Sequence, residues 1–183
     1  MNDPLSDNSN GYFWGEGNDN GGGCAFSGSA YHISVSQLTS THYCPAGVTN
    51  YSNFTYLVQM NILQGDGGGI VFRVDDAKQN YYYFHIGIDG SYTLEIYNNN
   101  SFVSTLKSGS NTANNNTTIN TGLNQSNLIA VVANGSSIDL YVNGQHIDSV
   151  TDSTFSQGEI GVAASSNGNL TEVVFSRAMV WTF

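Results

Sequence analysis

Arg73, Tyr83, His85, Glu95 and Tyr97 fall in three short alternating segments, "GIVFRVD", "YYYFHI" and "SYTLEIY". Successive side chains of a strand point to opposite faces. Ile70, Phe72 and Val74 then share a face with Tyr82, Phe84 and Ile86, and with Tyr92, Leu94 and Ile96. The other face collects Arg73, Tyr83, His85, Glu95 and Tyr97, a mixture of aromatic and ionisable groups. Such a mixture suits sugars: rings stack on C–H faces, while carboxylate, guanidinium and imidazole bond the hydroxyls. These five residues are the candidate binding set. A plainer reading makes Arg73 and Glu95 a cross-strand ion pair on a solvated sheet, worth about 0–1 kcal/mol. On the binding reading, Arg73→Ala abolishes glycan retention and leaves the melting temperature almost unchanged.

The elements that must carry these residues are strands. "YHISVS" places Tyr31, Ile33 and Val35 on one face, and "TYLVQMNIL" does the same with Tyr56, Val58, Met60 and Ile62. Similar runs follow to "TEVVFSRAMVW", and no segment holds an apolar stripe at helical spacing. Asp89-Gly90, Asn134-Gly135 and Asn143-Gly144 each lie between two such runs, the hairpin signal. The stretch "SGSNTANNNTTINTG" over 108–122 reads as a long exposed loop. Strands without helices, repeat or linker predict one all-β domain over residues 1–183, a two-sheet antiparallel sandwich.

Only 10% of the 183 residues are charged and the formal net charge is −10. Four cations, Arg73, Lys78, Lys107 and Arg177, cannot form the clustered patch that nucleic acid or anionic lipid requires. No apolar run approaches the roughly 20 residues of a membrane-spanning helix. An exterior of Asn, Ser, Thr and Gly suits an extracellular or cell-surface protein, whose targeting segment then lies outside these residues. With little charge repulsion, it also suits a homo-oligomer or self-assembling surface layer. Cys24 and Cys44 sit beside Gly or Pro in loop-like sequence at strand borders. A disulfide between them closes a loop of about 20 residues and stabilises the fold by roughly 3 kcal/mol.

The blocks "GGIVFR", "DGSY", "LYVNG" and "GEIGV", in that order, resemble the concanavalin A-like lectin/glucanase superfamily. More narrowly, the chain is similar to laminin-G-like and 3-keto-disaccharide hydrolase-type domains of exported bacterial proteins. The resemblance implies a jelly roll with one concave and one convex sheet, both termini on adjacent edge strands, and a glycan held on the concave face. It also implies one structural calcium ion, for which loop carboxylates such as Asp3, Asp19, Asp66, Asp76 and Asp152 offer hard oxygens. Trp14 and Trp181 would then share one core layer.

Glucanases of this fold carry a Glu-x-Asp-x-x-Glu run. Here Glu16, Glu95, Glu159 and Glu172 are scattered, so no catalytic residue is assigned. The expectation is a non-catalytic carbohydrate-binding or adhesive module, with a glycoside or keto-sugar hydrolase and a structural surface domain as the alternatives.

Overall fold

The computed structural model describes residues 1–19, 21–110 and 118–183. Two antiparallel sheets pack face to face, and the described residues contain no helix. The larger sheet runs in the order β13 (Gln145–Thr151), β12 (Ser137–Val142), β11 (Ser126–Asn134), β6 (Phe54–Gln64), β15 (Thr171–Thr182), β4 (Ala30–Val35), β3 (Gly22–Ser27) and β2 (Gly17–Asn18). A short β1 (Asn2–Asp3) also pairs with β15. The smaller sheet runs β10 (Ser101–Ser110), β9 (Ser91–Asn98), β8 (Asn80–Gly87), β7 (Gly67–Asp75), β14 (Glu159–Ser165) and β5 (Thr41–Pro45). This is the expected two-sheet jelly-roll sandwich.

The alternating apolar positions explain the packing. Tyr56, Val58, Met60 and Ile62 of β6 share one buried core with Ile70, Phe72, Phe84 and Leu94 of the opposing sheet. Each such side chain stabilises the fold by about 1.5–3 kcal/mol. Asn143 and Gly144 both take positive φ and make the two-residue turn between β12 and β13. The β11–β12 turn is Gly135-Ser136, one residue beyond the Asn134-Gly135 expected, because Asn134 still pairs with Ser137. β10 extends to Ser110, into the segment expected to be loop; residues 111–117 of that segment lie outside the described residues.

The termini are adjacent, but not at an edge. The Met1 ammonium donates to the Val180 carbonyl at 2.9 Å, yet β15 runs between β6 and β4 inside the larger sheet. Trp14 is buried in the core, whereas Trp181 is 50% exposed on the outer side, so the two do not share a layer. Cys24 and Cys44 form the expected disulfide, but from within β3 and β5 and not from loops. The bond therefore ties one sheet to the other.

Arg73 does not take the position that alternation assigns it. Its φ is +51°, and the pairing of β7 with β8 shifts register between Phe72 and Asp75. Gly158 makes room for this bulge: a Cβ there would lie 2.5 Å from the Arg73 carbonyl carbon and 2.3 Å from the Val74 oxygen. The bulge reverses the side-chain phase. Val74 turns to the outer cluster with Val71, Tyr81 and Tyr83, while Arg73 is buried at 1% exposure. Its Nη1 donates to the Phe155 carbonyl at 2.9 Å, and its Nη2 donates to the carbonyls of Ser52 and Gly135, each at 2.8 Å. Burial pulls the guanidinium's proton affinity down, and Tyr82 and Asp152 partly restore it. Arg73 is a clamp on three connecting segments, not a sugar ligand.

Removing this clamp leaves three carbonyls without their charged donor. Arg73→Ala is expected to cost about 3 kcal/mol, a fall in melting temperature of roughly 6–12 °C; an unchanged melt would refute the clamp. The double variant Cys24→Ala, Cys44→Ala should lose about 3 kcal/mol in a denaturant titration. A loss below about 1 kcal/mol would show that the sheets hold together without the cross-link.

Candidate functional site

The outer face of the smaller sheet carries a groove of about 1000 Å³. Its lining comes from β8, β9, β10, β5, the end of β14 and nearby connecting segments. On this face Gly67, Gly69 and Val71 of β7 pair with Ser165, Ala163 and Gly161 of β14, and of these six only Ser165 lines the groove. The other five are buried, Val71 and Ala163 in one cluster with Tyr81 and Tyr83. Gly67 is required for close approach: a Cβ there would lie 2.3 Å from His85 Nε2.

Four of the five expected binding residues line this groove: Tyr83, His85, Glu95 and Tyr97. Register brings them together, since Tyr83 pairs with Glu95, Tyr81 with Tyr97, and His85 with Thr93. Arg73 does not line it, for the reason given above. The two tyrosines also differ from open stacking platforms. Tyr83 is 1% exposed and its hydroxyl donates to Ser165 Oγ at 3.4 Å. Tyr97 stacks on Tyr81 with ring centroids 4.9 Å apart, and its hydroxyl donates to Glu95 Oε2 at 3.3 Å.

The open aromatic surface comes from Phe102 on β10, 56% exposed and edge-on to Tyr97 at 6.1 Å. Its segment, "SFVS", has no clean alternation, so sequence reasoning passed over it. Thr93 was also missed, because a lone Thr gives no signal until register places it beside His85. The signal available in hindsight is Thr93 itself, two residues before Glu95 on the same strand face.

Three polar atoms in the groove's lining residues are buried with no hydrogen-bond partner in the protein: His85 Nε2, Thr93 Oγ1 and Ser166 Oγ. Leaving a buried donor or acceptor unpaired costs about 1–3 kcal/mol, so three among the lining residues of one groove call for an explanation. Burial lowers the His85 pKa to about 4, against weak opposition from Asp89 and Asp66, so the ring is neutral at neutral pH. His42, at the rim, is likewise lowered by burial, with Asp19 at 3.8 Å acting against it. Backbone N–H groups of Gly21 and Gly22 hold the Asp19 carboxyl below its ordinary range.

Asp19 is held ionised, whereas a carboxylic acid catalyst needs its pKa raised. Glu159 is raised to about 7, by burial and then by Asp76 and Asp75, but it does not line the groove. Among the described residues no carboxylates converge in a group of three; Asp66 and Asp152, for example, accept hydrogen bonds from Asn169 and Thr154. Among the described residues, the single group of three metal-ligating side chains is Cys24, Cys44 and His42, and those sulfurs are bonded to each other.

No family model matches the chain, and no curated protein matches it either. Solved structures do. A carbohydrate-binding module from Bacillus subtilis, CBM66, superposes with a TM-score of 0.74 at 18% identity, over 92% of this chain and 95% of that one. A Bacillus subtilis protein of unknown function with a galectin-like fold gives 0.71 at 13% identity, over 100% and 94%. A Bacillus licheniformis β-glucanase gives 0.59 at 13% identity, over 98% and 97%. These likenesses establish the fold, a two-sheet jelly-roll sandwich.

Proposed function

We propose that this chain is a non-catalytic carbohydrate-binding, lectin-like module of an extracytoplasmic protein, with a glycan seated in the groove on the smaller sheet. The observation that carries the reading is a groove that gathers Asp19, His42, Glu95 and Tyr97 beside the exposed ring of Phe102. A pyranose or furanose offers both complements: hydroxyls for the polar groups and a C–H face for the ring. The name of the CBM66 module supports the same reading, and the inter-sheet disulfide suits an oxidising compartment. The β-glucanase neighbour supports a hydrolase alternative, which a reducing-sugar assay would detect directly.

A glycan array probed with the purified chain tests binding, and two variants test the site. Phe102→Ala touches an exposed ring, so the melt should hold steady while retention falls about fivefold to tenfold. Glu95→Gln, which removes a charge-assisted acceptor from the groove, should lower retention by a similar factor. Equal retention by both variants and the parent would place the ligand elsewhere.

Proton uptake offers a separate check. Because the His85 pKa is lowered to about 4, the neutral ring persists as pH falls from 8 to about 5. Retention should be flat over that range and decline only as pH approaches 4. A decline centred near 6.5, where an unperturbed histidine titrates, would contradict a buried His85 in the site.

A further inference from the structure

The groove has a sign. Asp19 and Glu95 line it, whereas none of the chain's four Lys and Arg residues does. Each cation is held elsewhere. Arg73 is buried in the loop clamp. Lys78 pairs with Asp75 at 2.6 Å, and Lys107 reaches across to Asp148 of the larger sheet at 3.0 Å. Arg177 is exposed on β15, in the other sheet. The two rim and floor histidines add no compensating charge, since burial keeps both toward the neutral form.

Anionic sugars are recognised through charge-assisted bonds from Arg or Lys, or through a bound cation. This groove supplies only carboxylates, hydroxyls, amides and neutral imidazole. A uronate or sulfate entering it would meet two fixed negative charges and gain no positive partner. The overall charge of −10 adds a repulsive field outside the groove, effective to about one Debye length, roughly 8 Å at physiological ionic strength. A neutral sugar meets no such opposition, and its hydroxyls can donate to Asp19 and Glu95.

From this we infer that the groove selects uncharged glycans and rejects uronic-acid and sulfated ones by charge. The inference rests on the carbohydrate-binding reading of the same groove and narrows it to one substrate class.

Affinity gel electrophoresis separates the two claims. The gels would contain dextran, arabinan, galactan, fructan or xyloglucan as neutral polymers, and polygalacturonate, alginate or chondroitin sulfate as anionic ones. Retardation by at least one neutral polymer, with every anionic polymer about tenfold weaker or inert, is the expected result. Equal retardation by an anionic polymer would overturn the charge selection while leaving carbohydrate binding intact. Retardation by none would remove the binding reading, and this inference with it. To show that charge and not shape is responsible, a neutral polymer that binds would be compared with its carboxymethyl derivative. The Asp19→Asn variant, which keeps the Oδ1 acceptor for Gly21 and Gly22, and high salt should each narrow that gap. A gap that neither changes would mean steric exclusion, and the inference would fail.

Discussion

The groove's inner wall depends on two paired central strands whose small outward residues let Tyr83 and His85 lie close over them. Gly69 opposes Ala163, Gly67 opposes Ser165, and Val71 opposes Gly161. An ordinary sheet face would place β-branched or aromatic residues there and be flat or convex. Glycine in a central strand weakens it, through lost packing and through the extra entropy of the unfolded chain. That weakness is offset on the other face, where Ile70, Phe72, Ile160 and Val162 belong to the continuous core. The same strands thus hold the sandwich together on one side and make room for Tyr83 and His85 on the other.

Alternation was a sound guide wherever the backbone stayed regular. Tyr83, His85, Glu95 and Tyr97 were legible as one face because β8 and β9 pair without a break from Tyr81–Tyr97 to Ile86–Tyr92. Arg73 was misassigned because alternation carries no information about bulges, and a bulge one residue long inverts every position beyond it. Nothing in "GIVFRVD" marks a positive φ at an arginine. The only sequence trace of the bulge is Gly158, nearly ninety positions away, whose missing side chain admits the displaced backbone. Phe102 was illegible for a related reason: β10 pairs with β9 through two register shifts, so its residues do not sort cleanly by parity.

Misplacing Arg73 also obscured the charge of the site. Counted as a groove residue, it would have balanced Glu95 and suggested an acidic or amphoteric ligand. Buried, it organises the opposite chemistry. A guanidinium has a planar fork of donors and no acceptor, so it can satisfy three converging carbonyls that no single neutral side chain could. The carbonyls of Ser52, Gly135 and Phe155 come from three separate connections, and Tyr82, hydrogen-bonded to Asp152, closes the cluster by accepting from the Phe155 N–H. A chain with so few cations has placed one where it fixes loops, leaving the groove uniformly without positive charge.

The disulfide supports the groove's far wall. Cys44 lies in β5, whose neighbouring residues Thr41 and His42 form the rim, and Cys24 lies in β3, where a Cβ on Gly22 would come within 3.1 Å of the His42 ring. β5 is an edge strand, paired only with β14, and an edge strand opens more readily than a central one. Tying it covalently to the opposite sheet holds His42 in place along the groove's rim. The wall formed by β8 and β9 needs no such bond, because each of those strands is paired on both sides. The trough is therefore bounded by hydrogen-bonded sheet on one side and by a cross-linked edge on the other, a shape that can hold its width without a ligand in it.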